Sequence, residues 1–425
     1  MIKEDFLHYV WQHKLFLQNL KTTDNESVEI INTGRKNLDA GPDFFNAKIK
    51  IGDTMWAGNV EIHLQSSNWQ HHKHEKDEAY QSVILHVVKN ADKEITRKSG
   101  EKIPQLELKY SEELEQNYTN LLTRKQTVRC AEQITQMPDI YMFSWMNTLL
   151  SERLMRKTEH IAALLEKNKN NWEEAFYIIL SRNFGFGING EPFERLAQSL
   201  PLIYLQKHKN NLLQIEALLF GQAGLLPDET ADEYAENLKR EYHFLKAKFN
   251  LTPLQNAGWK LMRLRPVNFP HIRIAQLAML IHQSSKIFSK MLEKPDYQYI
   301  CSLFSVQPSD YWQTHYTFKQ ESPERSKQLG KKAIDTLLIN TIIPFLFYYG
   351  KRNENDALQE SALKLLEQIP PENNRIIEEW KSINIPVKNA FDTQALIELM
   401  NNYCEKKDCL RCRVGHKVLT KIKPV

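Results

Sequence analysis

Three polar residues near the amino end of the chain have the types and spacing of a hydrolytic metal site: Asp43, in Gly41-Pro42-Asp43, and Glu61 with His63, in Glu61-Ile62-His63. Two carboxylates can hold a hard cation such as Mg²⁺ or Mn²⁺ through oxygen, and the ion then polarises a phosphoryl oxygen and acidifies a bound water. His63 would orient or deprotonate that water, and Gln65 follows on the same side of an extended segment. An imidazole-rich run comes next, Trp69-Gln70-His71-His72-Lys73-His74. His72 and His74, with Asp77, are candidates for a second metal, a general base or a contact to a scissile phosphate, and Trp69 for stacking on a base. The competing reading makes Pro42-Asp43 a turn, Glu61 and His63 a solvated strand face, and 66–81 a polar surface helix whose Trp69 and Tyr80 pack on a sheet. His86, inside apolar Ile84-Leu85-His86-Val87-Val88, reads as a hydrogen-bonded core histidine.

Two further groups stand out. Cys404, Cys409 and Cys412 with His416 spell C-x4-C-x2-C-x3-H, a spacing that suits one Zn²⁺ in a short tail. An iron-sulfur cluster with Cys130 as the fourth thiolate, and free thiols, are the alternatives. In each case the role is structural. Arg263, Arg265 and Arg273 flank Pro266 and Pro270 before a predicted helix, where they would meet phosphates at the helix start or tie helices together through carbonyls and acids such as Glu216.

The elements that would position the first group follow from periodicity. Leu7, Trp11 and Leu15 form one apolar stripe of a helix; Val28, Ile30 and Ile31 read as a strand. In Asp43 to Gly52, Phe45, Ala47, Ile49 and Ile51 alternate with Asn46, Lys48 and Lys50. After a turn at Gly52-Asp53, Val60, Ile62 and Leu64 point one way and Glu61, His63 and Gln65 the other. Residues 66–81 suit a helix, and Ser82-Val83-Ile84-Leu85-His86-Val87-Val88 is a strand covered on both faces. Residues 27–88 are therefore expected to form one mixed sheet with helices on both sides. Short strands around 94–96 and 105–108 would extend it. Beyond Pro138 long 3.6-residue periods predict helices to about residue 403, with breaks that include Pro344. The fold class is α+β: an α/β domain at 1–115, an α-helical domain at 116–400 and a Cys-rich metal-binding tail at 401–425.

The chain has 425 residues and a formal charge of +4, with 56 basic against 52 acidic residues, so nothing global demands a polyanion. Nucleic acid is an admissible partner through a local basic surface only. The absence of a long uninterrupted apolar run, and five cysteines without a disulfide pattern, predict a cytoplasmic protein that does not span a membrane. Oligomeric state leaves no mark in the sequence.

The order helix, three strands, helix, strand, with Pro42-Asp43 and Glu61-Ile62-His63, resembles the restriction-endonuclease-like PD-(D/E)XK nuclease superfamily over residues 1–110. His63 stands where that superfamily carries lysine, so restoring it with His63→Lys is expected to preserve or raise cleavage. Trp69, His72 and His74 resemble a Trp-x-x-His-x-His run of the very-short-patch mismatch endonucleases. Cys130 with the three tail cysteines is similar to the cluster-bearing branch of the superfamily. GPDFFNAKIKI, WAGNVEIHLQSSNW, EALLFGQAGLL, RLRPVNFPHIRIAQLA, INTIIPFLFYYG and the terminal CLRC are similar to the bacterial domain-of-unknown-function family 2851, in which an acid is expected at the place of Asn68. The resemblance to the nuclease superfamily implies a metal-dependent phosphodiesterase acting on DNA or RNA, whereas the family 2851 resemblance supplies no activity. The alternatives are a non-catalytic nucleic-acid- or protein-binding scaffold that keeps a nuclease-like fold, and a metallohydrolase for a small substrate.

Overall fold

A computed structural model describes residues 2–229, 232–284 and 286–420. Contacts divide the chain into two units, Met1–Asp139 with Leu399–Val425, and Ile140–Glu398. The first unit thus runs past residue 115, and the tail expected to stand alone from 401 belongs to it. The physical reason is apolar: Leu419, near the end of the tail, is part of the first unit's core.

In that unit α1 (Glu4–Gln12) is followed by β1 (Val28–Asn32), β2 (Arg35–Lys36), β3 (Phe44–Ile51), β4 (Thr54–Gln65), α2 (Asn68–His71), β5 (Val83–Asn90), β6 (Gln105–Glu107), α3 (Glu112–Thr123) and α4 (Ala131–Ile134). The sheet runs β1-β3-β4-β5-β6, with β2 beside β3. It is mixed: β1/β3 and β3/β4 are antiparallel, β4/β5 and β5/β6 parallel. β5 is an interior strand between β4 and β6, and its first six residues are buried, as its unbroken apolar run requires. Phe6, Val10 and Trp11 of α1, Val60 and Ile62 of β4, Leu85 and Val87 of β5 and Leu114 of α3 fill one face. Trp69, Tyr80, Ile95 and Ile103 cover part of the other.

Local deviations re-aim residues. In β3 the inward aromatic is Phe44 rather than Phe45, because Asn46 (φ 57°) opens a bulge between Phe44 and Ala47. α1 stops at Gln12, before a left-handed Lys14 (φ 52°), so Leu15 reaches the core from outside the helix. Residues 66–81 are not one helix. Lys73 (φ 61°) interrupts them, leaving α2 and two single 3-10 turns. Around 94–96 only a bridge between Thr96 and Lys102 forms.

The second unit is helical apart from a hairpin of His315–Thr317 and Gln320–Glu321. Pro344 does not break its helix. Lys331–Arg352 runs through it by way of a π turn at Leu338–Ile342. That helix is long and apolar enough in composition to cross a membrane, and 67% of its apolar window is buried inside the unit, the environment of a core helix.

Candidate metal centre

β4 presents Val60 and Ile62 to the main core and Glu61 and His63 to the opposite side, where the turns after α2 fold over them. Both are buried, Glu61 at 5% and His63 at 2% exposure. The ligand atoms of His63, His72 and His74 all lie within 4.8 Å of one another. His63 Nε2 is 3.1 Å from His72 Nδ1, and Glu61 Oε1 is 3.4 Å from both His63 Nε2 and His74 Nε2. Two donors bound to one ion at ~2.1 Å stand about 3.0–3.4 Å apart, so these separations suit a single divalent ion held by three imidazoles and a carboxylate. His74 Nε2 is buried without an aligned hydrogen-bond partner, as a ligand nitrogen would be. His72 is exposed and forms the side open to solvent.

Support comes from two directions. His63 Nδ1 lies 2.8 Å from Nε2 of the fully buried His86, which fixes the ring and leaves Nε2 of His63 facing the cluster. Asp43, at the mouth of β3, accepts from Ile62 N at 2.9 Å while its own N–H donates to Glu61 Oε2 at 3.1 Å. Asp43 and Glu61 are thus locked to each other, although Asp43 Oδ2 faces His8 Nε2 at 3.2 Å rather than the imidazole trio. Burial, then the charge of Asp43, push the Glu61 carboxyl up to about 9, whereas burial and the neighbouring histidines push His63 down to about 2 and His86 to about 3. The His63 and His86 rings are neutral and carry lone pairs, and a bound cation would favour the ionised form of Glu61.

The structure revises several sequence assignments. Trp69 is fully buried, edge-on to His74 and His86, and offers no face to a base. Asp77 is exposed and caps Ala79 N instead of joining the cluster. Gln65, at the far end of β4, is exposed. His63 is not an open water-activating group but the most deeply packed member of the set. In the second unit Arg273 is buried, bonded to Gln276 and Asn268 and stacked over Phe186 at 4.3 Å, so it meets no phosphate. Glu216 binds Tyr234 and Ser309, not an arginine. Arg263 and Arg265 are exposed.

Two residues were missed. α1 places Glu4 with its Oε1 3.4 Å from Leu64 N, and His8 beside Asp43 with both ring nitrogens buried and lacking an aligned hydrogen bond. Their i, i+4 spacing puts them on one helix face, the one signal that could have paired them.

At the tail, Cys130, Cys404, Cys409 and Cys412 line one cavity. His416 turns elsewhere: its Nδ1 is 2.8 Å from Tyr9 Oη, and its ring lies 4.7 Å from that of His13. The sequence model of a family described as "Protein of unknown function (DUF2851)" matches residues 4–375. No curated protein matches the chain, and no solved structure does.

Proposed function

We propose, for a chain that belongs to the DUF2851 family of proteins of unknown function, that the first unit is a metal-dependent phosphodiesterase acting on DNA or RNA. The observation that carries this reading is the shared Glu61 Oε1, 3.4 Å from two imidazoles that themselves gather a third. A divalent ion in that ring would supply a Lewis acid for a phosphoryl oxygen and a water acidified toward neutrality. Glu61, His63 and His74 would hold it from the buried side, and His72 from the solvent side. Asp43 keeps Glu61 in place through its backbone N–H, and His8 beside it is a proton acceptor or donor within reach of Asp43.

The choice of phosphodiester rests on the order α1, β1, β2, β3, β4, α2, β5, which apart from the two-residue β2 follows the PD-(D/E)XK arrangement, and on Pro42-Asp43 and Glu61-Ile62-His63 standing at the places of its motif. Three nitrogen donors move the preferred ion from Mg²⁺ toward Mn²⁺ or Zn²⁺. The same donors also favour a second reading, a metallohydrolase for a small substrate, now without Asp77.

The test incubates the full chain with single- and double-stranded DNA and RNA and with a small phosphodiester ester, in Mg²⁺, Mn²⁺ or Zn²⁺. Cleavage of nucleic acid that disappears in Glu61→Gln, with metal affinity reduced at least about 10-fold, supports the proposal. Turnover of the small ester alone supports the second reading. Binding without turnover of any substrate leaves the scaffold.

A further inference from the structure

The four cysteines of the first unit come from separate pieces of chain. Cys130 immediately precedes α4; Cys404 ends a π turn, Met400–Cys404; Cys409 lies in the following loop; Cys412 immediately precedes the last helix, Arg413–Thr420. The loop between them is tightly built. Asp408 N donates to Tyr403 O at 2.9 Å, Lys407 is left-handed (φ 59°), and His416 N donates to Cys412 O at 2.8 Å. The loop also rests directly on the last helix: a Cβ on Gly415 would lie 2.0 Å from Cys409 O, so only glycine permits the approach. Arg129 Nη1 donates to Cys404 O at 2.9 Å, which ties the two chain passages together and sets a cation beside the sulfurs. The four thiols line one small cavity together with Arg129 and Tyr403.

We infer that Cys130, Cys404, Cys409 and Cys412, which line one cavity although no three of their sulfurs lie within 4.8 Å of one another, draw together on a metal into a four-thiolate centre, holding zinc or an iron-sulfur cluster, and that His416 is not a ligand. A closed set of four thiolates leaves no open position for substrate, so the centre is structural. It clasps the segment before the helical unit to the segment after it. The effect reaches α1, because the tail helix that begins at Cys412 carries His416, the partner of Tyr9 on α1, and α1 also bears Glu4 and His8. The inference does not depend on the proposed activity.

The full chain, purified reduced and under anaerobic conditions, is analysed for zinc, iron and acid-labile sulfide beside Cys130→Ser, Cys412→Ser, His416→Ala and Cys301→Ser. The expected result is one centre per chain, lost in the first two variants and kept in the last two. Zinc without sulfide identifies a mononuclear site, and iron with sulfide a cluster. As a control for loss of folding in Cys130→Ser, the wild-type chain is also alkylated before and after chelation; Cys130, Cys404, Cys409 and Cys412 should react together at least about 10-fold faster once the metal is removed, with Cys301 unchanged. Absence of zinc and iron from the wild type, full metal content in folded Cys130→Ser, or loss of the centre from folded His416→Ala overturns the inference.

Discussion

His63 shows how far burial changes the meaning of a residue. At 2% exposure among His72, His74 and His86 it has no room for a long hydrated ammonium, so His63→Lys is expected to destabilise the first unit by about 3 kcal/mol or more and to abolish metal binding, not to raise cleavage. Thermal unfolding with and without Mn²⁺ checks this; a stable, metal-responsive variant would refute it. Trp69→Ala should cost about 3–5 kcal/mol in urea unfolding, because the ring is core rather than a base-stacking platform. The same burial sets a pH dependence in the metal-free chain. His63 and His86 stay neutral when folded, pushed down to about 2 and about 3, but take up protons near ~6.5 when unfolded. Glu61 acts oppositely, since its folded form holds a proton up to about 9. Two rings against one acid leave the unfolded state with about one more proton between roughly pH 4.5 and 6.5, and His13, His74 and His416, also held below their ordinary range by burial, act in the same direction, so stability should fall on acidification by at least roughly 1.4 kcal/mol per pH unit there. Urea midpoints measured in chelator across this window should show the fall, with a shallower slope for His86→Gln.

At the scale of elements, the helix Lys331–Arg352 survives its proline because other groups satisfy what the proline cannot. Pro344 has no N–H for the carbonyl of Asn340. That oxygen instead accepts from Asn183 Nδ2 at 3.0 Å, and Ile339 O accepts from Lys157 Nζ at 3.2 Å. Asn183 also donates to Thr341 Oγ1 at 2.8 Å. Asn183→Ala is therefore expected to cost the helical unit about 1 kcal/mol or more, the penalty for a partly buried carbonyl left unpaired, and faster amide exchange around residues 338–345 would locate it. Equal stability would show that the π turn is satisfied without Asn183. In the first unit the comparable device is Lys73: its left-handed backbone ends α2 and lets His74 turn inward while His72 stays at the surface.

For the molecule as a whole, the discontinuous first unit makes a prediction of its own. Val414 and Leu419 are fully buried, Leu419 within that unit's core. A chain ending at residue 398 should lose the unit formed by Met1–Asp139 while the helical unit stays folded. Limited proteolysis followed by mass spectrometry should then find cuts throughout residues 1–139 and protection within 140–398. Protection of both would mean that the tail is dispensable. The near-neutral charge of +4 adds no long-range pull toward a polyanion, so nucleic-acid recognition, if cleavage is found, must come from local surface.

The sequence by itself determined what period and local chemistry can encode. Alternation in β4 put Glu61 and His63 opposite Val60 and Ile62, the unbroken apolar run of β5 made it an interior strand, and the 3.6-residue pattern after Pro138 gave the helices. Cysteine spacing marked the tail. Only the tertiary structure decided which of those residues meet. His8 and Glu4 come to the site because α1 packs across β4, which no local pattern states. Cys130 rather than His416 faces the tail thiols because the chain returns to its first unit after the helical one. Trp69 and Arg273 have the chemistry of ligand-binding groups in any one-dimensional reading, and it is burial, a property of the neighbours that folding brings together, that makes them core.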